Sequence, residues 1–201
     1  MKSLSIRAAI PLFAAAILLQ GVGGALAQQP APAPSVPLII RKITPTKVST
    51  PEYQLRKNQF VGRTRDWFQI TVDYDTAPTW VDEATFTYYV LVLNKKPEPG
   101  VNPRTLFKGE VSYINIERGK HKSDIYLHPS TASRFGDIER VAVQVSVGGR
   151  LVAMEGVPSG TVQQRWWESF SPQSGYLLNR KETPFAMINF DDYEAIKPGR
   201  E

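Results

Sequence analysis

The segment Ala84 to Leu93, ATFTYYVLVL, is apolar on both sides of an extended chain. Successive side chains of a strand point to opposite faces. Phe86, Tyr88, Val90 and Val92 therefore share one side, and Tyr89, Leu91 and Leu93 share the other. A strand that is greasy front and back is buried front and back, so its sheet needs a cover on each face. With a bulge at Gly109 set aside, Leu106 to Ile116 repeats the pattern: Leu106, Ile114 and Ile116 oppose Phe107, Val111 and Tyr113.

The rest of the chain up to about residue 160 also reads with a period of two, which predicts strands. Leu38 to Ile43 is a short strand stopped near Pro45. In Trp67 to Tyr74, Phe68, Ile70, Val72 and Tyr74 share a face opposite Gln69, Thr71 and Asp73. Lys95 to Pro103 is a loop, and its Gly and Pro mark it as one. Lys122 to Leu127 is a further strand, and Pro129 to Phe135 a helical turn opened by Ser130 or Thr131. Val141, Val143, Val145 and Val147 alternate with small or polar residues. Gly148-Gly149 then forms a two-residue hairpin, because paired glycines supply the positive φ such turns need, and Leu151 to Met154 returns antiparallel. Seven or so short strands separated by turns predict an all-β fold, an antiparallel immunoglobulin-like β-sandwich. The chain has no cysteine, so neither the disulfide of antibody domains nor any other staple can form.

The second cover is expected from the C-terminal segment, about 160–190. Ser159 or Thr161 can cap a short helix, on which Val162, Trp166 and Phe170 recur at four-residue steps along one stripe. Trp167 lies about 100° round from Trp166. Tyr176, Leu177, Leu178, Phe185, Met187, Ile188 and Phe190 add apolar surface. The adjacent tryptophans admit two readings, a plug over the sheet or a flat platform for a sugar ring. Burying a large apolar side chain contributes about 1.5–3 kcal/mol, which favours the plug. The platform requires Trp167, with Trp80 or Trp67, coplanar at the surface.

The N-terminus reads as an export signal. Lys2 and Arg7 precede an apolar run from Ala8 to Leu19, and Ala25-Leu26-Ala27 is a small-x-small cleavage pattern. The expected organisation is a signal peptide over 1–27, a Pro/Ala linker over 28–37 (QQPAPAPSVP) and a β-sandwich domain over 38–201. Cleavage after Ala27 removes two bases and no acids, leaving 22 Lys and Arg against 19 Asp and Glu, a net +3. Those bases are scattered, whereas nucleic-acid binding wants a clustered stripe. No later segment is long enough to span a bilayer as a helix. The mature chain is expected in the periplasm or at the cell surface.

Catalytic and metal-binding patterns are sparse. The only histidines, His121 and His128, fall on opposite faces if one strand holds both, with about 23 Å between them, too far to share a metal. No G-x-S-x-G elbow supports a serine triad. Asp73 and Asp75 lie on the wet face of a strand, where a glycosidase pair would lack a cleft. Asp191-Asp192-Tyr193-Glu194 reads as a solvated acidic turn, short of the ligand set of a calcium loop. No enzyme, metal site or cofactor is expected.

The segment RTRDWFQITVDYDTAPTWVDEATFTYYVLVLNKK, Arg63 to Lys96, resembles exported immunoglobulin-like proteins of type IV pilus-like gene clusters in Akkermansia and related Verrucomicrobia. The resemblance implies a non-enzymatic accessory of a pilus-like or secretion apparatus. A pilin carries a long N-terminal helix, and a proline-rich linker stands in that place here, so an accessory fits better than a filament subunit. The expected partners are envelope or pilus-like proteins, another copy of the chain included, contacted through sheet edges and apolar patches. The alternative is a glycan-binding module that uses Trp167, Trp80 and Trp67.

Overall fold

The computed structural model describes residues 37–51 and 64–198. The expected signal peptide lies outside the described residues, as does the linker up to residue 36. Eight strands, β1 (Leu38–Ser49), β2 (Asp66–Leu93), β3 (Arg104–Leu127), β4 (Asp137–Val147), β5 (Arg150–Val157), β6 (Gln173–Ser174), β7 (Leu177–Asn179) and β8 (Ala195–Ile196), join in one mixed sheet. A short helix, α1 (Pro129–Phe135), the one α-helix among the described residues, links β3 to β4.

The two longest strands do most of the building. β2 runs for 28 residues and β3 for 24, paired antiparallel almost throughout. The pairing slips once: β2 sets Ala77, Pro78 and Thr79 against Arg118 alone, between Thr76↔Gly119 and Trp80↔Glu117. Thr76 clasps this bend. Its hydroxyl donates to the Glu117 carbonyl at 2.6 Å and accepts from the Gly119 amide at 3.0 Å. Both strands double back there. Twelve residues of straight strand span about 40 Å, yet the rings of Tyr74 and Phe86 are 4.9 Å apart. Tyr88 likewise reaches Ser123 across the core at 2.6 Å, and the Tyr113 hydroxyl accepts from the Asp124 amide at 3.3 Å.

One sheet thus forms two facing layers. The first holds β1, β2 up to Thr76 and the end of β3; the second holds the rest of β2, the start of β3, β4 and β5. Phe68, Ile70, Val72 and Tyr74 meet Phe86, Tyr88, Val90 and Val92 between them, all buried. All-β character is as expected, and so is the Gly148-Gly149 hairpin, whose glycines sit at φ 57° and 76°. The expected pair of separate antiparallel sheets differs from what is seen. Backbone pairing continues through the bend, and β6 runs parallel to β3. Short strands were expected because turn residues interrupt the pattern, but a bend that keeps pairing on either side is not a strand end.

Three local expectations are also corrected. β1 does not stop at Pro45. As an edge strand it tolerates a residue without an N–H, and Pro45 lies opposite Ile70 in unbroken register. Gly109 is no bulge, since it pairs directly with Tyr88. A side chain there would come within 2.6 Å of Ile125 and 2.7 Å of Leu177, so the residue marks close packing between layers. Finally, α1 is capped by His128, whose Nδ1 accepts from the Ser130 amide at 3.2 Å.

Candidate interaction surface

The outer faces of both layers are covered by the C-terminal stretch, in two different ways. Over the second layer, Val162, Trp166 and Trp167 seal Leu91, Leu106 and Ala142, with Tyr89, Met154 and Phe170 at the margin. Trp166 and Trp167 are 6% and 4% exposed. Trp167 stacks on Tyr89 at 5.2 Å, and the two indoles meet edge to face at 5.6 Å. The expected helix is instead two 3-10 turns, Val162–Gln164 and Trp166–Ser169, separated by Arg165 in the left-handed region. The break precedes both indoles, which sit together on the second turn and are both buried.

Over the first layer the cover is apolar and ionic together. Trp67, Tyr126 and Phe185 form a buried cluster, with the Tyr126 and Phe185 rings stacked at 4.9 Å. Beside it Arg180 Nη1 donates to Asp124 Oδ2 at 2.6 Å, both side chains almost wholly enclosed. The same carboxylate oxygen accepts from Tyr126 at 2.7 Å and Gln69 at 3.0 Å. Arg180 Nη2 donates to the Ile188 carbonyl, and the Tyr193 ring lies over the guanidinium at 3.8 Å. Burial would lower the Arg180 pKa, but the Asp124 carboxylate, with Tyr126 and Tyr193, carries it upward. Burial, reinforced by the Asp124 charge, pushes the phenols of Tyr126, Tyr113 and Tyr193 well up. This network pins residues 177–193 in place through tight turns.

The same turns leave a ridge in water. Phe185 points inward, yet Met187 is 75% and Phe190 64% exposed. Asn189 at φ 48° reverses the chain between them, and the Asp192 amide closes the turn on the Asn189 carbonyl at 3.0 Å. Two grooves flank the stretch Phe190 to Glu194. A smaller one of about 280 Å³ is walled by Ala186, Phe190, Tyr193, Ala195 and Ile196, with Arg180 and Lys181 at its side. A larger one of about 900 Å³ carries Asp191, Asp192 and Glu194 on one side and Asp73, Asp75, Arg41, Lys120 and Lys122 on the other. Glu194 lines both. It lies 2.9 Å from Nδ1 of His121, whose Nε2 is 2.8 Å from the Glu117 carbonyl oxygen.

The indoles singled out from sequence are not brought together. Trp67 is 5% exposed in the first-layer cover and donates to Thr50 at 3.1 Å, Trp167 is 4% exposed in the second, and Trp80 alone is open to solvent at 55%. His121 and His128 are likewise apart, His128 lying edge-on to Trp67 at 4.7 Å. Asp73 and Asp75 sit in a groove, contrary to the expectation of a flat strand, and Asp191 to Glu194 is its wall. Sequence reading missed that juxtaposition because it depends on where the tail lands. Among the described residues no three His, Asp or Glu side chains are placed to hold a metal ion, and no helix is long and apolar enough to cross a membrane.

A protein of known crystal structure from Akkermansia muciniphila has a similar fold, with a TM-score of 0.68 and 23% identity over 81% of this chain and 94% of that one. No curated protein matches the sequence. A family model matches residues 29–200, nearly everything after the expected cleavage site, and the chain belongs to that family.

Proposed function

We propose that the protein is an exported, non-enzymatic interaction protein, an accessory of a pilus-like or secretion apparatus in the envelope or at the cell surface. The carrying observation is the ridge: Met187 and Phe190 stay in water on a backbone held firmly from below. A buried alternative for such side chains stabilises a fold by about 1.5–3 kcal/mol each. Large apolar residues left out of the core beside a groove suit a partner's surface. The signal-like N-terminus and the resemblance of Arg63–Lys96 support export and the pilus-like setting. The two facing layers of the folded sheet support an immunoglobulin-like architecture. A second contact surface is the start of β5, where Leu151 is 46% exposed and the only backbone pairing among the described residues is with β4; the end of β5 lies near β1.

A photo-crosslinking residue at position 190, introduced into the tagged protein in its own cells, tests the reading. Envelope or pilus-like proteins should be captured through position 190 and not through a control at Lys96 in the Lys95–Pro103 loop. Equal capture at both positions, or none at either, overturns it. The glycan-binding alternative rests on Trp80 alone. A sugar-dependent shift in indole emission that Trp80→Ala abolishes would favour it.

A further inference from the structure

Resting on that reading, we infer that the Phe190–Glu194 ridge receives an extended segment of a partner protein in which an apolar side chain stands beside a lysine or arginine. The two grooves on either side of the ridge differ in chemistry. The smaller, about 280 Å³, is lined by Phe190, Tyr193 and Ile196 and by the stems of Arg180 and Lys181, whose charged ends are held by Asp124 and the Ile196 carbonyl; it has room for a side chain and falls just short of pockets that hold drug-sized ligands, about 300–1,000 Å³. The larger holds five carboxylates against Arg41, Lys120 and Lys122. Asp75 is already held by Arg41 at 2.8 Å and Glu194 by His121 at 2.9 Å. Asp191 and Asp192, on the ridge itself, have no ion-pair partner among the described residues; nor do Lys120 and Lys122 on the opposite wall, so the free negative charge belongs to the ridge side of the groove. Their charge is spread along the wall and does not converge on a metal-sized point. Diffuse negative charge next to an apolar slot selects a long side-chain cation on a stem that starts in the slot's neighbour.

The same charge argues against other occupants. A second copy docked ridge to ridge would set Asp191 and Asp192 against their own equivalents, and like charges juxtaposed across an interface are costly. An anionic bilayer surface is repelled for the same reason. The site is also preorganised: Tyr193 rests on the buried Arg180 at 3.8 Å, and β8 pairs with Tyr113 and Ile114 just beyond. Binding therefore orders little of this chain.

Fluorescence anisotropy of the mature protein with a labelled Lys-Lys-Leu-Phe-Lys-Lys peptide tests the assignment. Glu-Glu-Leu-Phe-Glu-Glu and Lys-Lys-Ser-Ser-Lys-Lys serve as controls. Only the first peptide should bind, and more weakly as salt rises and screens the wall. Phe190→Ser, and separately Asp191→Asn with Asp192→Asn, should each weaken binding about tenfold or more, as central contacts do. All three substituted residues are exposed, so thermal melts should match the parent protein. Equal binding of the acidic peptide, binding unchanged in either variant, or a dimer in sedimentation that Phe190→Ser dissolves overturns the inference. Absence of peptide binding alongside retained crosslinking at position 190 overturns it too, and leaves the broader function standing.

Discussion

The two outer faces of this sheet are covered by one continuous stretch of chain in two different chemistries. Over Leu91, Leu106 and Ala142 the cover is Val162, Trp166 and Trp167, with no ion pair among them. Over Trp67 and Tyr126 it is Phe185 plus a charge pair, Arg180 to Asp124, sunk beneath the surface. A dry aromatic lid is forgiving, because apolar contact is non-directional and related shapes can repack. A buried ion pair is unforgiving. Its two charges give up hydration that only their mutual geometry restores. The ionic half is also the half that presents the ridge, so the stricter chemistry holds the surface whose shape matters.

Removing both covers should have the largest effect. A chain ended after Gly160 exposes Leu91, Leu106, Trp67 and Tyr126 and strands Asp124, and circular dichroism should show no cooperative melt. A truncated protein as stable as the parent would break the comparison at its root. Next comes Arg180→Met, expected to cost about 3–5 kcal/mol in urea unfolding because it leaves a buried carboxylate unpaired. Asp124→Leu added to it should recover most of that loss. If the double variant is no better than the single, the charges are not what distinguishes this half. Trp167→Leu, on the forgiving side, should cost about 2 kcal/mol, and its effect should add to that of Arg180→Met if the two covers act independently.

Alkaline titration sharpens the contrast further. Tyr74, Tyr88, Tyr113 and Tyr126 have pKa values raised above the ordinary phenol value, chiefly by burial. A raised folded-state pKa stabilises fully below the unfolded value of about 10 and loses that contribution as pH climbs above it. Phenolate absorbance in the near ultraviolet should therefore show these phenols ionising only as the protein unfolds. Ionisation of all eight tyrosines in a folded chain near pH 10 would contradict the enclosed core. The smallest effect belongs outside both covers. Asp137 has its pKa lowered by hydrogen bonds from Lys47 and Lys95, so its contribution is present above the ordinary carboxylate range and fades as pH falls. The pairs are exposed, and Asp137→Asn should cost at most about 1 kcal/mol.

Much of this was legible in the chain. Alternation placed Phe68, Ile70, Val72 and Tyr74 on the core face, and the double greasiness of Ala84 to Leu93 required a second cover. The paired indoles were a plausible part of it by area alone. The bend at Thr76–Trp80 was not legible, because Ala-Pro-Thr in a strand pattern reads as an end, and only cross-strand pairing on both sides shows continuity. In the sequence Arg180 is one of several scattered bases. Its burial depends on Asp124 lying 56 residues earlier, and no local pattern signals a pair that far apart. The groove beside Asp191 was hidden for the same reason.

Sequence by itself determined the period of the strands, the hairpin at Gly148-Gly149, and the need for apolar cover on both faces, since those follow from side-chain direction and hydrophobic area along a short stretch. The tertiary structure alone decided that one sheet doubles back into two layers, that the two covers differ in chemistry, and that Phe190 and Met187 stay outside. Those outcomes depend on which distant residues meet, and a local pattern carries no information about encounters between segments dozens of residues apart.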